Sequence, residues 1–439
     1  MTIRIWFAVT AACAAICLVC FSSYAQDGIL SYGDLRVRPI QVIPTGTIVR
    51  PESGIPSSGT FHTHIQILIP NTTIERPPRA SGLNPPHANY DAQTPASLAC
   101  VYYLVVQSNG CDPYQFFTVA TGGSKAIGVV DAYYDATVVS DLQNFSTYFS
   151  LPPPNITVVY CNKTSCSTTN QPPPANHGWS LEQTLDVEVS HSMAPNAQII
   201  LVEAYSNSYA DLLRAEAEAA SLVAAAGGGE VTNSWGSEEF SNEATYDSNF
   251  VEPGVVFFAS AGDSPGVEYP SASPNVVAVG GTTVLLGSNF SFMYEETWPS
   301  AGGGFSTYEP VPSFQSAVKS VEAKVGAHRG VPDIAADANP SSGLWVYCSA
   351  SSCGSGPWWI VGGTSLSSPL VASITNSANT FNPSSVAELD GIYNNLGSSD
   401  FDYVTHGYCN NGPRAGLVTA ASGWDVCTGV GTPQGHSGL

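Results

Sequence analysis

The sequence predicts an α/β protein built on a doubly wound, mostly parallel sheet with helices on both faces. Apolar runs of strand length alternate with runs of helix length from about residue 95 onward. Such alternation is how a parallel sheet with covering helices is written. Of the 439 residues, 43% are hydrophobic and only 11% charged, which is enough apolar material for a large core.

Taken in order, KAIGVVDAYY (125–134) reads as a buried strand and ATVVSDLQNFSTYF (136–149) as a helix. SLEQTLDVEVSHSMA (180–194) is a helix opened by a capping box, Ser180 with Gln183 three residues on. AQIILVEAY (197–205) is a strand and YADLLRAEAEAASLVAAA (209–226) a helix, followed by the strands EVTNSW (230–235) and GVVFFASAG (254–262). PWWIV (357–361) is a buried strand, and LSSPLVASITNSANTF (366–381) an amphipathic helix whose first turn accommodates Pro369.

The N-terminal part differs in kind. Residues 1–25 combine Arg4, an apolar run and small residues ending Ser23-Tyr24-Ala25, the pattern of a cleaved secretory signal. The run is shorter than the roughly 20 residues a membrane span needs, so a secreted chain without a membrane anchor is expected. Residues 26–93 are rich in Pro, Gly, Ser and Thr and read as an extension or short prosegment, weakly structured or folded only against the body that follows at 94–439. Outside the signal, eight cysteines fall into the couples Cys100 and Cys111, Cys161 and Cys166, Cys348 and Cys353, Cys409 and Cys427, which in an exported chain reads as disulfides.

Lys plus Arg number 13 against 35 Asp plus Glu, a net charge of −22. That balance excludes nucleic acid and anionic membranes as partners, and it suits an acidic medium in which the carboxylates are neutralised.

In open parallel sheets the chemistry gathers at the carboxyl ends of strands. Ser365, after two glycines and a threonine, is there either a nucleophile or a helix cap. Glu182 and Asp186 stand four apart, so both carboxyls share one helix face, and no Lys or Arg occurs between Lys163 and Arg214 to neutralise them. Neighbouring carboxyls push their pKa values apart, which suits general-base work in acid. Asp263 follows a buried strand in a tight turn. Ser234, Trp235 and Gly236 end another strand, where a backbone edge can pair with an extended peptide.

In order, Glu182-x-x-x-Asp186, SWG, SAGDS, YPSASPNVVAVGGT, GGGFS, RGVPDIAADANP, GGTSLSSP and GWDVCTGVGTP together resemble the sedolisin family of serine-carboxyl peptidases. The resemblance covers roughly 95 to 435. It implies a subtilisin-like fold and a monomeric peptidase acting on proteins or peptides in acid, with Ser365 as nucleophile, Glu182 as its base, Asp186 orienting Glu182, and Asp263 as the oxyanion-hole acid. It also implies a structural Ca²⁺ site. Asp425 matches one of the family's two aspartates; Tyr403 stands in register with the other, and Asp402 lies one position early. Family precursors carry a long folded prosegment, for which residues 26–93 are too few.

Two other readings compete. Asp131, His177 and Ser365 follow the chain order of a subtilisin-type triad. Against it, Asp131 lacks the usual following Thr-Gly or Ser-Gly, HGWS lacks the next histidine and Asp263 replaces the oxyanion asparagine, so Asp131 is taken as a strand-end structural acid and His177 as an exposed loop residue. A secreted binding protein that kept the fold without the chemistry is the non-enzymatic reading.

Overall fold

A computed structural model of the chain describes residues 46–70, 92–115, 117–176, 178–354, 356–410 and 416–439. The signal-like segment, most of the extension and His177 lie outside the described residues.

The extension contributes three strands, β1 (Gly46–Val49), β2 (His62–Thr63) and β3 (Gln66–Pro70). The body then runs α1 (Pro95–Val101), β4 (Ala126–Ala132), α2 (Val138–Tyr148), β5 (Asn155–Cys161), β6 (Cys166–Ser167), α3 (Ser180–Met193), β7 (Gln198–Ala204) and α4 (Tyr209–Ala225). After these come β8 (Gly229–Asn233), β9 (Trp235–Glu238), β10 (Val255–Ser260), β11 (Glu268–Tyr269), β12 (Val277–Leu286) and β13 (Phe292–Thr297). An antiparallel pair, β14 (Gly304–Pro310) with β15 (His328–Val331), leads to β16 (Ile334–Asp337), β17 (Leu344–Tyr347), β18 (Trp358–Gly362) and α5 (Thr364–Ser377).

The central sheet has the order β13-β12-β10-β8-β4-β7-β5-β6, with β16 also paired to β12. Every pair among β5, β7, β4, β8, β10, β12 and β16 is parallel, and β6 and β13 close the two ends antiparallel. Strands β4, β8 and β10 are buried along their whole length, as double coverage by helices requires. The fold is the subtilisin-like α/β arrangement.

Three local readings change. The helix from Ser180 has no capping box: Trp179 is its N-cap residue and makes no side-chain cap bond. The Gln183 amide instead donates to the carbonyls of Ala132 and Tyr133, because the first turn of α3 is buried against the end of β4. EVTNSW is not one strand but two, broken at Ser234, so that β8 stays in the main sheet while β9 leaves it to pair with β2 and β11. Pro369 lies in the second turn of α5, not the first, since the helix starts at Thr364 behind the N-cap Gly363. A proline there withholds the N–H that would reach the Ser365 carbonyl.

Residues 46–70 are folded onto the body. β3 pairs antiparallel with β1 on one side and β18 on the other, and β17 completes a four-stranded sheet. The cysteine couples form the four disulfides Cys100–Cys111, Cys161–Cys166, Cys348–Cys353 and Cys409–Cys427.

Candidate active site

Ser365 is the second residue of α5, fully buried where that helix meets the ends of β8 and β10. Its approach is set by Gly363, whose φ of 98° and ψ of 164° belong to a region only glycine enters freely. This turn delivers the Ser365 N–H and hydroxyl to one point. Gly363, not Ser365, is the cap residue.

Opposite stands α3. Glu182 and Asp186 are both fully buried, one turn apart, so they are not a solvated acidic face. Burial, then the neighbouring Asp186 charge, pushes the Glu182 carboxyl well above its ordinary range, while the hydroxyls of Ser365 and Thr63 pull it back. Those two hydroxyls thus face Glu182, although neither of its oxygens completes a well-formed hydrogen bond. The Ser365 hydroxyl donates to the Ser234 carbonyl at 3.2 Å. Asp186 is also raised by burial, opposed by the Ser234 hydroxyl, which donates to it at 2.8 Å. The same hydroxyl lies 3.3 Å from the Ser365 carbonyl that Pro369 leaves free.

Asp131 adds to the sequence reading. It lies at the end of β4 as read, and it also has the Glu182–Asp186 pair as electrostatic neighbours: burial first, then Asp186, Glu182 and Glu203, push its carboxyl well up. Both its oxygens are buried and lack a hydrogen bond among the described residues. The chain position of Asp131, at the carboxyl end of β4, was the available signal.

Asp263 sits past β10. Its Oδ1 accepts the Thr364 N–H at 2.8 Å and the Thr364 hydroxyl at 2.9 Å, while Oδ2 is buried and unbonded. Burial raises its carboxyl to about 6, against the opposing pull of His64, the Thr364 bonds and Arg50. Below that pH it carries a proton and can donate. An ideal Cβ on Gly363 would stand 2.7 Å from Asp263 Oδ2 and 1.9 Å from the His64 carbonyl oxygen, so both oxygens border the Gly363 turn.

The SWG stretch spans the break between β8 and β9, beside Ser365. The Ser234 carbonyl points into the site, Trp235 is anchored by its indole N–H on the Val130 carbonyl at 2.8 Å, and Gly236 borders a histidine ring. Beside it, sequence reasoning missed a buried group of His62, His64 and Glu268, whose ligand-type atoms lie within 4.8 Å of one another. His64 Nε2 meets Glu268 Oε2 at 2.8 Å and its Nδ1 meets the Ser260 hydroxyl at 2.6 Å. Two histidines in HTH within a Pro- and Ser-rich extension gave no sign of this.

At the C-terminal end, Asp425 Oδ1 accepts the N–H groups of Cys427 and Thr428 and Oδ2 that of Ala421, each at 2.9 Å. Lys324 reaches the adjacent Trp424 carbonyl. Asp402 is half-buried, and burial raises its carboxyl.

A fold of parallel strands with a buried serine facing a buried Glu–Asp pair defines a class of serine hydrolase-like architecture, and known proteins of that class are similar to this chain. The model of the subtilase family matches residues 165–390. Kumamolisin of Bacillus sp. is 31% identical over 352 residues, covering 73% of this chain and 60% of that protein. Sedolisin of Pseudomonas sp. is 32% identical over 187 residues, 39% of this chain and 29% of that protein. Tripeptidyl-peptidase 1 of Rattus norvegicus is 33% identical over 186 residues, 38% of this chain and 31% of that protein. The chain thus spans less than two thirds of each of these relatives. The solved structure of Pseudomonas sedolisin, a serine-carboxyl proteinase complexed with two molecules of pseudo-iodotyrostatin, superposes with a TM-score of 0.62 at 23% identity, covering 79% of this chain and 96% of that one, which shows the shared fold. The chain belongs to the subtilase family and, within it, to the sedolisin branch.

Proposed function

We propose that the chain is a secreted, acid-active serine-carboxyl peptidase that hydrolyses protein or peptide substrates as a monomer. Ser365 is the nucleophile, Glu182 its general base, Asp186 the group that holds and tunes Glu182, and Asp263 the oxyanion donor. The observation that carries this is the burial of Glu182 and Asp186 against the Ser365 hydroxyl. Two carboxyls so close do not both ionise, and the pair keeps one proton over a range above ordinary carboxylate values. In that state the ionised member takes the serine proton. A histidine base would be protonated in the same medium.

Secretion is supported by the four disulfides, which persist in oxidising compartments, and by the signal-like start. Among the described residues no helix is long and apolar enough to cross a membrane. A structural calcium ion at Asp425 and Asp402 is also proposed. Asp425 keeps a lone pair on Oδ2 beyond its amide bonds, and a cation would relieve the burial of Asp402. Metal found by elemental analysis and a melting temperature lowered by chelation are expected; neither being seen refutes the ion.

The test of the activity is cleavage of a denatured protein by the purified chain across pH. Cleavage confined to acid is expected, with Ser365→Ala losing most of the rate, on the order of 10⁶ as for serine peptidases generally. Ser365→Ala activity within tenfold of wild type overturns the proposal. An optimum near pH 8 with inactivation by His177→Ala hands it to the subtilisin-type triad.

A further inference from the structure

Two histidines of the extension reach a buried carboxyl of the body across an intervening strand. Residues 60–66 lie in the cleft at Ser365, where the His64 N–H donates to the Ser234 carbonyl at 3.2 Å and the His64 carbonyl accepts the Ser365 N–H at 3.1 Å. β2 pairs with β9 and β9 with β11, a three-stranded sheet in the order β11-β9-β2. Side chains alternate along an extended chain, so His62 and His64 share a face and Thr63 takes the other, toward Glu182. Glu268 comes from β11, at the opposite edge. It meets both rings over Gly236 of β9, where a Cβ would stand 2.8 Å from the His64 ring and 3.0 Å from Glu268 Oε2. Any side chain there would part the three groups.

The three side chains are buried, and one ligand-type atom from each lies within 4.8 Å of the other two. His64 Nε2 stands 2.8 Å and His62 Nε2 3.5 Å from the same oxygen, Glu268 Oε2. A proton can bridge the shorter gap, but it serves one histidine only. His62 is left with Nε2 beyond ordinary hydrogen-bond length and Nδ1 buried without a partner. A divalent cation serves all three groups at once. Ligand atoms about 2.0–2.2 Å from a tetrahedral ion stand about 3.3 Å from one another, a spacing that the observed 2.8 and 3.5 Å bracket. The support behind His64 is also that of a ligand. The Ser260 hydroxyl has the Asn233 carbonyl at 3.3 Å to take its proton, so it can accept the His64 Nδ1–H at 2.6 Å and leave the Nε2 lone pair for a metal. The guanidinium of Arg50, whose charge bears on Glu268, is engaged by the Asp263 carbonyl at 2.7 Å and the Ser264 hydroxyl at 3.1 Å.

We propose that His62, His64 and Glu268 form a binding site for one transition-metal ion of the kind imidazole prefers, with Zn²⁺ the best match. Two neutral imidazoles and a carboxylate make a ligand set that Zn²⁺ takes with a fourth position open, whereas Ca²⁺ and Mg²⁺ favour oxygen ligands. The site is separate from the calcium ion proposed at Asp425 and Asp402, and it does not depend on Ser365 being a nucleophile. Two ligands come from the extension and one from the body, so ion binding and docking of the extension form one linked equilibrium. An ion present at about 100 times its dissociation constant favours the docked extension by about 100-fold.

The full chain, stripped with a chelator and held at neutral pH in saturating Ca²⁺, is titrated with Zn²⁺ by calorimetry. A tightly held ion is expected whose affinity falls by at least about 100-fold in His62→Ala, since loss of a ligand costs more than loss of the groups behind it. Co²⁺ in place of Zn²⁺ should give the strong visible absorption of a four-coordinate site in the wild type and lose it in Glu268→Gln. Hydrogen exchange on the unsubstituted chain keeps the test decisive if either variant fails to fold: added Zn²⁺ should slow exchange at residues 62–64 and 268. Uptake of no Zn²⁺, or uptake with equal affinity by the wild type and His62→Ala, overturns the site. So does Zn²⁺ uptake that leaves exchange at residues 62–64 and 268 unchanged.

Discussion

As the proposed base, Glu182 would meet two opposing demands, since a base must be ionised and its surroundings disfavour charge. On that proposal Asp186, which accepts the Ser234 hydroxyl at 2.8 Å, holds the shared proton. Glu182→Gln removes the base and Asp186→Asn removes the partner that tunes it, so each should lower the rate by about 10² to 10⁴. Only the second should also move the alkaline limb of the pH–rate profile; if neither variant loses tenfold in a peptide assay, the pair is structural. Asp263 answers to pH in the other sense. With its carboxyl raised to about 6 by burial, Asp263 as the proposed oxyanion donor would donate below that pH and repel the developing oxyanion above it. Asp263→Ala should lose about 10² to 10³ in turnover, the scale of one oxyanion donor. Asp263→Asn, a donor at any pH, should lose less and show a flatter decline between about pH 5 and 7, the range around the wild-type carboxyl's titration. A wild-type profile in both variants would reduce Asp263 to a turn residue.

At the level of elements, the helix start at Thr364 depends on its glycine. Gly363→Ala would put a Cβ 1.9 Å from the His64 carbonyl oxygen at a φ of 98°, a backbone strain of about 1–3 kcal/mol before any clash. The expected outcome is a lower melting temperature together with release of residues 60–66 from the cleft, read as faster hydrogen exchange at β2; unchanged exchange there would show that the turn relaxes instead. The same elements show what the sequence disclosed. Strand and helix periods placed β4, α3, β7, α4, β10 and α5 because each has enough residues for a period to repeat. Ser365, Glu182, Asp186 and Asp263 were legible because each sits at a strand end or on a helix face with a fixed offset. The capping box misled because burial of the first turn of α3 gave Gln183 a better use. β2 and β9 were illegible: two and four residues long, they are made by pairing across more than 170 positions, and no local pattern encodes that. For the same reason Glu268 could not be linked to His64 before the strands were in place.

For the molecule as a whole, buried carboxyls set the pH range of stability. Burial lifts Glu203 to about 9 and Glu216 and Glu230 to about 8, from an ordinary 4.5. In the unfolded chain these groups release their protons near 4.5, while the native state keeps them until pH 8 or 9. Native stability is therefore full below about pH 4.5 and drains away as pH rises toward about 8 to 9. Glu268, held low by its histidines despite burial, and Asp211, held low by its hydroxyl partners and Arg214, work the opposite way. The shifts of Glu203, Glu216 and Glu230 all act in the same direction, so each of these carboxyls works against the fold once the pH passes its unfolded value. Calorimetry should find the highest melting temperature near about pH 4 and a fall of about 10 °C or more by about pH 8. A melting temperature that climbs toward neutrality would mean these carboxyls are not protonated in the native state.

The disulfides close over spans of 11, 5, 5 and 18 residues. At a synthesis rate of about 5–20 residues per second, both partners of each couple emerge within a few seconds of one another. Each of these eight cysteines thus meets its mate before the next couple has been made. Oxidation can keep pace with the growing chain, and none of the eight thiols has to wait for the central sheet to assemble before finding its partner.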